Sequence, residues 1–193
     1  MFAITLKNTP LFSQNELEMV LLPGSVVTIV SKKENILEVT TEEYRSVKQL
    51  YIEQAFVKEL NEKPPERKRI PPTAKQMLDR LHNFPKLPYL WGGNVLTPFE
   101  HNQQTLHGVD CSGLLYHITN GVTPRNTSDI YITYPQITTL KPLDLIVWPG
   151  HVMIVLTPDK IIESRKQSGI ILSPLTERLR EVESHNPRLV RFL

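Results

Sequence analysis

Cys111 is the one cysteine in a chain of 193 residues, and its neighbours suit a nucleophile. Asp110 precedes it, and the apolar run Leu114, Leu115, Tyr116, His117 and Ile118 follows. An aspartate in that place caps a helix by accepting the N–H groups of the first turn. Cys111 would then open the helix, where unpaired amides and the positive dipole end favour a thiolate. A lone cysteine is more often a small core residue, so the downstream sequence has to decide. Asp144–Trp148 reads as a strand, Pro149-Gly150 as a turn, and His151–Val155 as a second strand headed by its histidine. A histidine held on a rigid sheet can act as the base for a thiol. After the turn Thr157-Pro158-Asp159, a third strand over Lys160–Ser164 is the hairpin partner of the histidine strand. It offers Glu163 or Ser164 to orient the imidazole, and the two point to opposite faces.

Other segments must position these groups. Thr73 can cap a helix over Ala74–His82, whose Met77, Leu78 and Leu81 share one face. Gly92 and Gly93 allow a turn, and Asn94 to Val109 reads as a long polar loop forming a wall of a cleft. That loop holds His101 and His107, which with Cys111 suggest a metal trio. Against such a trio, a zinc site needs ligands on rigid elements, and there is no second cysteine. His117 reads as a packed or surface residue, and His82 and His185 stand without context. Pro124 to Tyr134 reads as a short capped helix. Leu175, Leu179 and Val182 mark an amphipathic helix with Glu and Arg on its outer face, and Arg188 to Leu193 alternates like an edge strand.

Composition narrows the function classes. With 40% hydrophobic and 22% charged residues the chain can bury one core plus a small companion. A net charge of +2 with dispersed cations leaves no footprint for nucleic acid. A single cysteine allows no internal disulfide, and no stretch has the length of a membrane span. Met1–Lys7 lacks the basic start and long apolar core of a signal peptide. The expectation is a cytoplasmic protein, with action in the periplasm or at the cell wall left open.

Residues 1–60 read as short, evenly spaced strands of a small barrel, with a Pro23-Gly24 turn before the run Val26 to Val30 and a further strand over Ile36–Thr40. Residues 61–72 contain two Pro-Pro pairs and read as a stiff, extended linker whose basic run is simply solvated.

Three blocks carry a family resemblance: Tyr89-x-Trp91-Gly92-Gly93, Asp110-Cys111-Ser112-Gly113, and Asp144-Leu145-Ile146 ahead of Gly150-His151-Val152. Over Tyr89 to about Ser173 the chain resembles the NlpC/P60 cysteine peptidases of bacterial cell-wall metabolism. The N-terminal order, Leu-Pro-Gly-Ser-Val-Val, a hairpin, then Tyr51-Ile52 leading to Phe56–Leu60, resembles a bacterial SH3-like domain. The implied fold is α+β: an SH3-like β-barrel over 1–60, the linker 61–72, and a papain-like catalytic domain over 73–193. The resemblance makes Cys111 the nucleophile and His151 the general base and then acid. Its third position falls on Glu163, where a histidine commonly stands.

The resemblance also implies an oxyanion held by helix-start N–H groups, including that of Cys111, and by the Tyr89 hydroxyl, unless Tyr89 is only a packed aromatic; Trp91 belongs to the same binding segment. The implied substrate is a peptidoglycan stem peptide or muropeptide, cut between γ-D-glutamate and a diamino acid. Asp110 and Ser112 would bind a free N-terminal amine, helped by an SH3-side tyrosine, Tyr44 or Tyr51, though Asp110 could instead be spent on capping. No metal or organic cofactor is required. Two alternatives remain: a papain-like acyltransferase using a cysteine thioester, disfavoured because Cys111 precedes His151, and a non-catalytic wall-binding module, disfavoured because both residues are present.

Overall fold

The computed structural model describes all residues, 1–193. Met1–Lys68 together with Trp91–Gly93 form one compact unit, and Arg69–Leu90 together with Asn94–Leu193 form a second. The division falls inside the proline stretch, where missing N–H groups and fixed φ oppose both helix and ladder.

The first unit holds β1 (Phe2–Thr5), β2 (Thr9–Ser13), β3 (Glu16–Leu21), β4 (Val26–Lys33), β5 (Ile36–Thr40), β6 (Leu50–Glu53) and β7 (Val57–Leu60). They pair antiparallel in the order β3-β2-β6-β5-β4-β1-β7. The strands run from four to eight residues, and β3 and β7 are the outer ones. Gln14 and Asn15, at φ 49° and 70°, make the β2–β3 turn left-handed at both residues, which matches the twist of a hairpin. The linker cations are tied down rather than only solvated. Lys63 pairs with Glu42 at 3.0 Å and Glu66 at 3.2 Å, and Arg67 with the buried Glu43 at 3.6 Å. In the second unit Arg69 donates to the Gly121 carbonyl at 2.8 Å.

The second unit runs α1 (Ala74–His82), β8 (Asn94–His101), β9 (Gln104–Val109), α2 (Cys111–Ile118), α3 (Thr127–Thr133), β10 (Leu145–Trp148), β11 (His151–Thr157), β12 (Lys160–Arg165), β13 (Gly169–Pro174), α4 (Leu175–Val182) and β14 (Arg188–Val190). A capping box starts α1: the Thr73 hydroxyl accepts the Gln76 N–H at 3.2 Å, and the Gln76 side chain accepts the Thr73 N–H at 2.9 Å.

The five strands β10 to β14 form an antiparallel sheet in the order β13-β12-β11-β10-β14. Because side chains alternate, β10, β11 and β12 each feed two cores. Leu145, Val147, Val152, Ile154 and Ile162 pack with Met77 and Leu81 of α1, Leu114, Leu115 and Ile118 of α2, and Ile130 of α3. Ile146, Trp148, Met153, Val155 and Ile161 pack with Leu175, Leu179 and Val182 of α4. All four residues of β10 are therefore buried, and its sequence is continuously apolar. At the end of β14, Arg191 grips the buried Asp144 through two hydrogen bonds of 2.7 Å.

Asn94–Val109 is not the polar loop expected from its composition but the hairpin β8–β9. Its turn residues Asn102 and Gln103 take φ 48° and 64°, the hairpin geometry that glycine usually signals. Pro98 sits where the register slips between Val95 and Phe99, a place where a missing donor is tolerated.

Gly169 opens β13 at φ 66°, and a Cβ there would lie 2.2 Å from the Leu87 carbonyl oxygen. That approach lets the Ile170 N–H reach the same carbonyl at 3.1 Å. Gly169→Ala should cost at least about 1–2 kcal/mol from the left-handed backbone alone, with the clash in addition. Its Tm should therefore fall below that of Gly150→Ala, where a Cβ meets nothing within 4 Å. Equal melting temperatures would show that the Leu87–Pro88 segment yields freely.

Candidate active site

The site starts where α2 starts. Asp110 caps the helix, its Oδ1 accepting the Gly113 N–H at 2.6 Å. Arg125 grips the same carboxylate, Nη1 donating to Oδ1 at 2.9 Å and Nη2 to Oδ2 at 2.7 Å. Its Nη1 also donates to Ser112 Oγ at 2.6 Å, and that hydroxyl donates to Asp110 Oδ1 at 3.2 Å. All three side chains are buried. Asp110 and Ser112, expected to receive a substrate amine, are thus engaged by a cation of the chain itself. The Pro124 to Tyr134 segment, expected only to form a short capped helix, supplies that cation as Arg125.

Cys111 is the first residue of α2 and only 6% exposed. Burial, and then the Asp110 carboxylate, push its thiol from 9.0 up to about 12; N–H groups of Val152 and Ser112 and the Arg125 cation oppose the rise. Both effects work against the resting thiolate expected at a helix start. The capping carboxylate sets a negative charge at the helix end whose positive field was to stabilise the sulfur, and burial removes the water that would solvate an anion. Tyr89 stands in the same field. Burial, then the Asp110 and Cys111 charges, push its phenol up to about 12 against the pull of Arg125. It therefore keeps its proton and remains a hydrogen-bond donor. The segment bearing Tyr89 is tied to the end of β9 by Leu90 N–H to Val109 carbonyl at 3.4 Å and Val109 N–H to Pro88 carbonyl at 3.3 Å. Ser164 Oγ donates to that same Val109 carbonyl at 2.7 Å. Ser164 thus braces the start of α2 and leaves the imidazole to Glu163.

A second group lies on the α4 side of the sheet. His151 Nε2 meets Glu163 Oε2 at 2.7 Å, and Glu163 is fully buried. Arg178 of α4 closes the carboxylate from the far side, Nε donating to Oε1 at 2.7 Å and Nη2 to Oε2 at 3.2 Å. Burial works to raise the Glu163 carboxyl, but the hydrogen bonds from His151 and Arg178 prevail and hold it below its ordinary 4.5. Trp148 lies 5.1 Å from the His151 ring, centroid to centroid, and His185 stacks on Trp148 at 5.3 Å. Arg178, Trp148 and His185 were missed in the sequence. A signal existed for Arg178: it stands three residues after Leu175 and four before Val182, on the apolar stripe of α4 rather than its outer face.

The two groups meet at one peptide. The Val152 N–H points to the Cys111 sulfur, and Val152 follows His151 directly. Tyr44 donates to Glu18 at 2.5 Å and Tyr51 to Gln49 at 3.0 Å, both within the first unit. Trp91 is 57% exposed and clusters with that unit. His101 and His107 are on opposite strands of the β8–β9 hairpin, with His107 Nε2 at 3.1 Å from the Leu96 carbonyl. His117 packs edge-on against Phe84 at 5.7 Å.

Two measurements follow from these charges. Alkylation of Cys111 by iodoacetamide should rise about tenfold per pH unit from about pH 6 to about pH 9, as the thiolate fraction of a high-lying thiol does. A plateau across neutral pH would instead reveal a preformed thiolate–imidazolium pair. For Glu163, a carboxyl depressed in the folded state stabilises the fold above its unfolded value, and that contribution is lost as pH falls through the folded value. The urea-unfolding advantage of the natural chain over Glu163→Gln should hold steady down to about pH 5 and then shrink in more acidic solution. An advantage that grows with acid would contradict the ion pairs.

No protein-family model matches the sequence, and none of the curated proteins does. Among solved structures, RipD from Mycobacterium tuberculosis, described as a non-catalytic NlpC/p60 domain protein adapted to peptidoglycan binding, matches at a TM-score of 0.50 and 20% identity, over 62% of this chain and 97% of that one. The P60 domain of a Mycobacterium avium paratuberculosis antigen matches at 0.49 and 20% identity, over 62% of this chain and 93% of its own. An NlpC/P60 family protein from Bacillus cereus matches at 0.45 and 19% identity, covering 90% of this chain, which spans 58% of that protein. On the likeness to RipD, this chain has the NlpC/P60 fold.

Proposed function

We propose that the chain is a cysteine amidase acting on peptides of peptidoglycan. The observation that carries the reading is a helix-start cysteine beside a phenol donor, whose sulfur meets the amide next to a carboxylate-oriented histidine. With Nε2–H donated to Glu163, the neutral ring leaves Nδ1 as its acceptor. Nδ1 takes the Cys111 proton as the sulfur adds to the scissile carbonyl, so the C–S bond forms and the carbonyl π pair moves onto oxygen. The Cys111 N–H and the Tyr89 hydroxyl receive that oxyanion. Collapse breaks the C–N bond, and His151 returns the proton to the leaving amine. Water, deprotonated by His151, then hydrolyses the thioester and restores the thiol. A thiol that rests protonated suits this order, because the anion forms only as the carbonyl arrives.

The substrate class is that of the resembled family: the bond from γ-D-glutamate to a diamino acid in a stem peptide or muropeptide. With Asp110 neutralised by Arg125, a preference for a free N-terminal amine has no spare carboxylate to draw on at that position.

A second reading is binding of peptidoglycan without turnover. The description of RipD as non-catalytic and the high-lying Cys111 thiol favour it. A panel of muropeptides separates the two. The natural chain should release the diamino-acid fragment, and Cys111→Ala should lose turnover at least about a thousandfold while still binding. Turnover in Cys111→Ala would end the nucleophile assignment. Binding by both chains with turnover by neither would establish the second reading.

A further inference from the structure

Glu163 is a carboxylate with no exposed surface, held by an imidazole and a guanidinium. Were the imidazole its only partner, a negative charge would be buried with no cation to balance it, and such a group takes up a proton. There are two places for that proton. On Glu163, it would make the carboxyl the donor to His151 Nε2, and the neutral ring would carry its own hydrogen on Nδ1 instead. On the ring, it would make an imidazolium with hydrogens on both nitrogens. Either way Nδ1 loses its lone pair. Arg178 supplies the missing cation through two hydrogen bonds, and its Nη1 is held in turn by Glu181 at 2.8 Å.

We propose that Arg178 is a positioning residue: by balancing the buried Glu163 carboxylate, it lets Glu163 orient His151 through Nε2 while Nδ1 stays free to accept a proton. The value of a free Nδ1 rests on the reading of His151 as the base, but the arrangement itself does not. The groups around the ring are Glu163 on β12, Arg178 and its partner Glu181 on α4, and Trp148 on β10 with His185 stacked on it. The Cys111 thiol and the Asp110–Arg125 pair lie on the α2 side. Two arginines have thus been placed against the two carboxylates nearest the cysteine and the histidine.

The test is a series of long-range 1H–15N spectra of the full chain, with His151 assigned by comparison with His151→Gln, recorded between about pH 5 and about pH 9. In the natural chain at mildly alkaline pH, Nε2 should show the shift of a protonated ring nitrogen and Nδ1 that of an unprotonated one. In Arg178→Gln, Nδ1 should remain protonated to a higher pH, by about one unit or more, the effect of a removed charge a few ångströms away. Arg178→Lys, which keeps the charge and loses the planar fork, should return most of the way to the natural behaviour. If Arg178→Gln does not fold, Glu163→Gln and the double variant Glu163→Gln/Arg178→Gln carry the test, since with no carboxylate left to balance, the cation has nothing to act through. The two should then titrate alike at Nδ1. Identical Nδ1 titrations in the natural chain and Arg178→Gln, or titrations about a unit apart in the single and double variants, would overturn the proposal. Because these spectra need no substrate, a chain that hydrolyses nothing could still uphold it, and a failed titration would leave Cys111 chemistry standing.

Discussion

A carboxylate taken out of water must find a cation, and the second unit meets that demand three times. Asp110, Asp144 and Glu163 are all buried, and each is gripped by a guanidinium through two or more hydrogen bonds. The arginines come from distant parts of the chain: Arg125 between α2 and α3, Arg191 after β14, and Arg178 on α4. Such a pair adds little stability relative to an apolar contact, but breaking one by removing a partner costs about 3–5 kcal/mol. They therefore act less as glue than as registration points. Asp110 with Arg125 fixes the start of α2, Asp144 with Arg191 fixes the outer strand β14 on β10, and Glu163 with Arg178 fixes α4 over the histidine.

The cysteine shows how competing electrostatic effects sort by size. A helix dipole stabilises a nearby anion by about 0.3–1 kcal/mol, and up to about 2 kcal/mol where partly buried. The effective penalty for taking an ion out of water is several kcal/mol. At Cys111 burial wins, and the Asp110 cap adds to it. The amides of Val152 and Ser112 recover part of the loss by donating to the sulfur. Those same donors mean that a thiolate at Cys111, whenever it forms, is received by groups already in place.

Much of this was legible in one dimension. Thr73 and Asp110 announced α1 and α2 because capping is a local matter of one side chain and the next three amides. His151 at a strand start followed from the Pro149-Gly150 turn, whereas the hairpin after it left Glu163 and Ser164 open and the family resemblance chose Glu163. The hairpin at 94–109 was hidden because its turn is Asn-Gln without glycine and its first strand contains Pro98. Arg125 and Arg178 were hidden for a different reason. The place of Arg178 on the apolar stripe of α4 hints that it faces inward, but nothing local names the acid that either arginine meets, and both partners lie 15 residues away. Tertiary structure decides it, and the acid that demands the cation is itself recognised as buried only once the sheet is built.

The sheet gives this arrangement its precision. Cys111 belongs to the helical layer on one face, and Glu163 and Arg178 belong to the other. No side chain has to cross the sheet for the two sides to communicate, because Val152 offers its N–H to the sulfur while His151, one residue earlier, offers its ring to the carboxylate. Two consecutive residues of a strand have fixed relative directions. The separation of the Cys111 sulfur and the His151 ring is therefore set by backbone geometry, and the orientation of the ring by a carboxylate held between its two partners. In such a site, the element most able to alter reactivity without touching the sulfur is α4, which reaches the histidine only through the charge of Glu163.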